Sequence, residues 1–291
     1  PTLRSRRPIE REHLLPLLRF GGWMTVTNLL SPVMINLDRF WIGAWLSVTA
    51  VAYYATPNEV VTKLWFYPWA LIGVLFPAFS TSVAADPAQT RRIYGSGLKF
   101  VFVVMFPVTL IIATFAHEAL GLWLDKTFAE ASGPVLELFC FGVLLYSLAQ
   151  IPFALIQGVG RPDLAAKLTV AELIPYLIGL YFLTRIGGIV GVAAAWVGRI
   201  LLDTLAMSLM ARRLIGFDRH QEVRRMAVIG LAVALMAAGI AMNGLTVKVV
   251  FLGVTLMGFS VWTWRTLLDS DERRMARNVS GGSGAADDRE V

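Results

Sequence analysis

The feature that most restricts this chain is a series of apolar runs of about 20 residues, the length that crosses a hydrocarbon layer, divided by short charged or Gly/Pro-bearing connections. Hydrocarbon offers no hydrogen bonds, so each run must satisfy its backbone internally, which selects helices; no strand-like alternation competes with them. The runs cover residues 20–46, 51–83, 98–123, 135–159, 164–184, 189–210, 226–242 and 247–268. With 56% hydrophobic and 16% charged residues the chain is too apolar for a soluble domain. The expected fold is an all-α integral membrane protein of about eight transmembrane helices. Six form a lobe over 20–210, a charged connection spans 211–225, and two accessory helices occupy 226–268.

A net charge of +6 on one soluble face would suggest a nucleic-acid partner, so the placement of the Lys and Arg residues decides its meaning. One set of connections holds Arg91, Arg92, Lys99, Arg161, Lys167, Arg212, Arg213, Arg219, Arg224 and Arg225. The leading segment (Arg4, Arg6, Arg7, Arg11, Arg19) and the closing one (Arg265, Arg273, Arg274, Arg277, Arg289) are equally basic. The alternate connections contain only Arg39, Lys126, Arg185 and Lys248. Cytoplasmic loops collect Lys and Arg, so both termini are expected in the cytoplasm, and nucleic acid is excluded as a partner.

Residues 1–19 lack the apolar core of a signal peptide and read as a basic cytoplasmic linker, while the polar stretch 269–291 reads as a disordered cytoplasmic tail. A lone Cys140 excludes an internal disulfide, and His13, His117 and His220 have no ligand spacing, so neither a metal nor a cofactor is expected. No GxxxxGK[ST], HExxH or GxSxG run is present, which argues against an enzyme. GVGRPD at 158–163 lacks the strand that precedes a phosphate loop and reads as a tight turn between two helices.

Ionisable groups inside a bilayer cost about 2.5 to 3.5 kcal/mol each, so those retained face a partner or a wet cavity. Glu172 and Arg199 fall on neighbouring helices joined near Arg185–Gly188, at similar depth, and Asp203 follows Arg199 by one turn. The three can form a cluster of formal charge minus one, serving either as a structural ion pair or as a binding site. Asp38 and Arg39 interrupt the first run, as an interfacial pair or inside the helix. Glu59 and Lys63 lie one turn apart after Pro57, which can kink the second helix. Asn28, Ser31, Pro32 and Asn36 form a polar stripe suited to interhelical contact or cavity lining, and Glu137 is expected to complement the dipole at the start of the fourth helix. The nine tryptophans fit membrane interfaces and do not of themselves mark a sugar platform.

FGGWMTVTNLLSPVMINLDRFWIG (20–43) and VAYYATPNEVVTKL (51–64) resemble the oligosaccharide flippases of the polysaccharide transporter family, within the multidrug/oligosaccharidyl-lipid/polysaccharide superfamily. VLFPAFS (74–80), GVGRPDLAAKL (158–168) and GIVGVAAAWVGRILLD (188–203) extend the resemblance over most of 20–210. It implies two six-helix lobes around a central cavity, often with two extra helices, of which this chain matches the second. The expectation is therefore a fragment or a split gene whose partner is the missing N-terminal lobe. The implied activity is transfer of an undecaprenyl-pyrophosphate-linked O-antigen-type oligosaccharide across the bacterial inner membrane, coupled to an ion gradient and linked to polysaccharide polymerase machinery. A pyrophosphate needs cations, for which Arg39, Lys63 and Arg199 are the candidates, while Asp38, Glu59, Glu172 and Asp203 are candidates to take protons or sodium. The alternatives are a cation-coupled multidrug antiporter of the same superfamily, which favours an aromatic, carboxylate-rich cavity, and a non-transporting scaffold. A glycan polymerase or ligase would need larger periplasmic loops than these.

Overall fold

A computed structural model describes residues 36–216 and 219–267, together with positions 22, 25, 29 and 32–34. Every regular element among them is helical. The protein is an all-α, multi-pass membrane protein, with six described stretches long and apolar enough to cross a bilayer. The proposed linker at 1–19, the tail at 269–291, and Asn28 and Ser31 of the polar stripe lie outside the described residues.

The first helix, α1, is described continuously over 36–45 and ends at a break before Ser47, whose hydroxyl accepts from Ala50 N and caps α2 (Val48–Thr62). α2 contains Pro57 and passes through a 3₁₀ turn at Lys63–Trp65 into α3 (Phe66–Ala85), so the second predicted span is a helix tightened at mid-length. Asp86 accepts from Ala88 N and Gln89 N and precedes Pro87, which needs no N–H partner, and together they start α4 (Pro87–Thr114). The third predicted span, 98–123, is two helices: α4 and the short α5 (Ala116–Trp123).

Asp125 caps α6 (Lys126–Gly158), which begins nine residues before the expected start of its span. That correction moves Glu137 from a helix start to the helix interior, where it meets His117 Nδ1 at 3.1 Å instead of a free helix N-terminus. α6 is the centre of the larger unit: 83% of its most apolar window is buried, against 50% or less for every other span, and it packs on α2, α3, α4, α5 and α7.

The turn after α6 is made by the GVGRPD residues. Gly160 has φ +77°, its N–H bonds Gln157 O, and Arg161 N–H reaches back to Ile156 O, closing the two rings of a Schellman ending. The helix α7 (Pro162–Ile215) follows; unbroken, its 54 residues would extend about 80 Å, more than twice a hydrocarbon core. Gly188, at φ 55° and ψ −130°, folds it into two limbs, as the sequence predicts, and a Cβ on Gly191 would lie 1.8 Å from Leu183 O. α7 continues to Ile215 and α8 (Arg219–Ala241) starts four residues later, so both helices run into the connection expected at 211–225.

Chain contacts define two units, residues 1–236 and 237–291, and the division falls within α8. In the first, Gly158 packs on Phe79, and the Arg91 guanidinium donates to Ile215 O at the end of α7. These contacts gather the connections carrying Arg91, Arg92, Arg161, Lys167, Arg212 and Arg213 at one end of the bundle. Tyr53 meets Phe128, Trp41 donates to Thr184, and Trp45 meets Tyr181, gathering the connections poor in Lys and Arg at the other end. All four basic residues expected in such connections are in helices: Arg39 in α1, Lys126 as the first residue of α6, Arg185 in α7 three residues before Gly188, and Lys248, which is buried in the first turn of α9 (Leu245–Trp262) in the second unit.

Candidate functional site

A polar seam runs through the first unit from α1 to the middle of α7. Asp38 is 2% exposed, and its carboxylate accepts from Tyr54 Oη of α2 at 2.6 Å and from Tyr176 Oη of α7. A buried carboxylate is tolerated where donors replace its hydration, and two phenols supply them here. The Arg199 guanidinium lies 5.4 Å from the centroid of the Tyr176 ring, and its Nε is 3.6 Å from Glu172 Oε2. The Asp203 carboxyl adjoins Glu172. The predicted cluster of Glu172, Arg199 and Asp203 therefore forms, because Gly188 returns the second limb of α7 antiparallel to the first with these residues at matching depth.

The cluster lines a cavity of about 140 Å³. Trp65 enters from the 3₁₀ turn, Tyr146 and Gln150 from α6, and Trp196 from the second limb of α7. Trp65 and Tyr146 are in ring contact at 4.6 Å. Trp196 is seated on α6 at Gly142, where a Cβ would lie 2.1 Å from Cζ3, and it meets Phe139 edge-to-face at 5.2 Å. Phe139 in turn meets Tyr54, so an aromatic chain accompanies the polar seam. Three polar atoms of the lining residues, Trp65 Nε1, Glu172 Oε1 and Arg199 Nε, are buried without a hydrogen bond, the last facing Glu172 Oε2 at the longer ion-pair distance of 3.6 Å.

The other candidate residues are distributed differently. Arg39 is paired with Glu59 at 3.4 Å, both partly exposed, while Lys63 is exposed at the 3₁₀ turn. Of the three candidate cations only Arg199 lines the cavity. Asn36 donates to Pro32 O of its own helix, and Asp163 is held by Arg161 (3.0 Å) and Lys167 (3.1 Å) at the turn. Tyr54, Tyr176, Trp65 and Gln150 escaped the sequence reading, since a tyrosine or tryptophan in an apolar run gives no sign of what faces it. The available signal was the buried Asp38, which required donors from somewhere.

Residues 2–133 match the family described as polysaccharide biosynthesis protein. The chain is 34% identical over 195 residues to a protein of Shigella flexneri named as an O-antigen transporter, an alignment covering 67% of this chain and 46% of the relative. The chain is similar to proteins of polysaccharide biosynthesis and O-antigen transport. The lipopolysaccharide biosynthesis protein WzxC of Escherichia coli is 24% identical over 211 residues, 72% of this chain and 42% of that protein. A Haloferax volcanii protein named as a low-salt glycan biosynthesis flippase, Agl15, is 25% identical over 180 residues, 62% of this chain and 38% of its own length. The chain thus spans less than half the length of each of these relatives. The printed names of the Shigella flexneri and Haloferax volcanii relatives are those of a transporter and a flippase, and that of the Escherichia coli relative is of a lipopolysaccharide biosynthesis protein.

Proposed function

We propose that this chain forms the second lobe and accessory helices of a flippase. The whole protein moves an undecaprenyl-pyrophosphate-linked oligosaccharide from the cytoplasmic to the periplasmic leaflet of the bacterial inner membrane, driven by a proton or sodium gradient. The observation that carries this reading is the buried Glu172–Arg199 pair with Asp203 on a cavity inside an apolar bundle, since such groups persist in a membrane mainly where a polar cargo or ion must pass. The names of the relatives supply the cargo class. Arg39 and Lys63, both solvent-accessible in this chain, are the cations left to meet the pyrophosphate, with Arg199 supporting them. Asp38, Glu59, Glu172 and Asp203 are the carboxylates available for coupling. Both termini face the cytoplasm in this reading, with the Arg-rich end of the bundle on that side. The missing lobe and the polymerase machinery complete the partners.

A cation-coupled multidrug antiporter is the second reading, favoured by the aromatic lining and the excess of carboxylates in the cavity. Glycan export by the whole two-lobed protein separates them. Arg39→Ala and Arg199→Ala at normal membrane abundance should lower export about tenfold or more, the value of a charge-assisted hydrogen bond, whereas Arg212→Ala should not. Equal export by all three variants overturns the flippase site, and efflux of cationic dyes without glycan export selects the antiporter.

A further inference from the structure

Three helix ends of the first unit meet at one basic corner. The Arg91 guanidinium of α4 donates to Ile215 O at the end of α7 at 3.2 Å, and one turn along α4 the Tyr94 ring lies 5.6 Å from the Arg225 guanidinium of α8. A Cβ on Gly95 would stand 3.2 Å from the same guanidinium, so α8 approaches α4 closely here. These contacts bring together exposed Arg91 and Arg92 of α4, Arg213 in the last turn of α7, and Arg224 of α8. Among the described residues no ion pair joins any of these four to a carboxylate. By contrast, Arg161 and Lys167 at the α6–α7 turn share Asp163, at 3.0 and 3.1 Å. The carbonyls that end α7 carry about half a negative charge, which Arg91 alone outweighs, so helix capping leaves most of the positive charge without a partner of its own.

Exposed apolar side chains continue from each of these arginines toward the middle of its helix. On α7, Leu205, Leu209 and Arg213 follow at four-residue spacing, all exposed, and so share one face. On α4 exposed Phe100 lies eight residues beyond Arg92, and on α8 exposed Leu231 lies seven beyond Arg224, each about 10 to 12 Å further along its helix. A soluble polyanion would use the arginines and leave those apolar faces unused, whereas a lipid with an anionic head and two acyl chains uses both. We propose that the corner formed by the start of α4, the end of α7 and the start of α8 binds an anionic glycerophospholipid as a fixed partner of the chain, separate from any cargo. Its phosphodiester accepts from Arg92, Arg213 and Arg224, its chains lie along the faces of Phe100, Leu209 and Leu231, and Arg91 holds the ends of α4 and α7 together beneath it. The leaflet that supplies the lipid rests on the orientation proposed above; the binding does not.

The test uses the full chain in neutral detergent, titrated with phosphatidylglycerol that carries a fluorophore on one acyl chain and read by anisotropy. Phosphatidylglycerol should bind saturably, and phosphatidylcholine labelled in the same way should not. A basic residue beside anionic lipid is worth roughly a fivefold change in affinity, so Arg92→Gln with Arg213→Gln, and separately Arg213→Gln with Arg224→Gln, should each weaken binding about tenfold or more. Arg161→Gln with Lys167→Gln removes the same charge at the α6–α7 turn and should leave binding within about twofold. Melting temperatures check folding, and two pairs drawn from three helices keep the test open if one pair is unstable. Four results would each overturn the proposal. Equal binding of phosphatidylcholine would mean that the headgroup charge is not read, and displacement of the lipid by inorganic phosphate at equal concentration would make the corner a free-anion site. Stronger competition by undecaprenyl phosphate than by unlabelled phosphatidylglycerol would make it a cargo site. Equal weakening by the Arg161 and Lys167 pair would reduce it to diffuse charge.

Discussion

Tyr54 donates to Asp38 at 2.6 Å across the junction of α2 and α1, and the pair is fully buried although neither residue is near a loop. The second phenol, from Tyr176, brings α7 to the same carboxylate, so one side chain ties three helices together.

Removing the hydroxyl tests that tie. Tyr54→Phe should destabilise the chain by about 1 to 3 kcal/mol, the cost of leaving a buried acceptor short of a partner, read as a lowered melting temperature in detergent. Asp38→Asn should cost less than Asp38→Ala, because an amide can still accept from at least one tyrosine. An unchanged melting temperature for both Tyr54→Phe and Asp38→Ala would contradict the network.

Gly142 and Gly198 make a matched pair of probes. An alanine Cβ at Gly142 would lie 2.1 Å from Trp196 Cζ3, so Gly142→Ala must displace the ring and should cost about 1 to 3 kcal/mol. Gly198 has nothing within 4 Å, and Gly198→Ala should be neutral or stabilise its helix by up to about 1 kcal/mol. Equal melting temperatures for the two variants would show that Trp196 is not seated on α6.

Glu172 and Arg199 should be strongly coupled. Each single substitution, Glu172→Gln or Arg199→Gln, leaves a buried charge with a missing partner and should destabilise by about 3 kcal/mol or more, while the double variant should recover part of that loss. Additive losses in a thermal-melt cycle would mean that the 3.6 Å approach contributes no interaction energy.

Orientation is accessible through cysteine, because Cys140 is buried. In intact cells a membrane-impermeant thiol reagent should label Arg185→Cys at the Gly188 turn. Arg161→Cys, at the opposite end of the bundle, should react only after permeabilisation. The reverse pattern would invert the proposed topology.

Much of this protein is legible in its sequence because a bilayer leaves few choices. Apolar runs of crossing length must be helices, Gly188 is where a 54-residue helix has to fold back, and the antiparallel count from that turn brings Glu172, Arg199 and Asp203 to matching depth. These are one-dimensional relationships, set by rise per residue and by the need to satisfy backbone groups without water. What only the tertiary structure decided is which side chains from distant helices share a space. Nothing near Tyr54 or Tyr176 in sequence announces that both point at Asp38, and the separation of Arg39 and Lys63 from the Arg199 cavity depends on how α1 and the Lys63–Trp65 turn pack around α6. Helix rotation and crossing are settled by close packing, such as Trp196 against the bare backbone of Gly142, and that complementarity is a property of pairs of surfaces which no single run of residues contains.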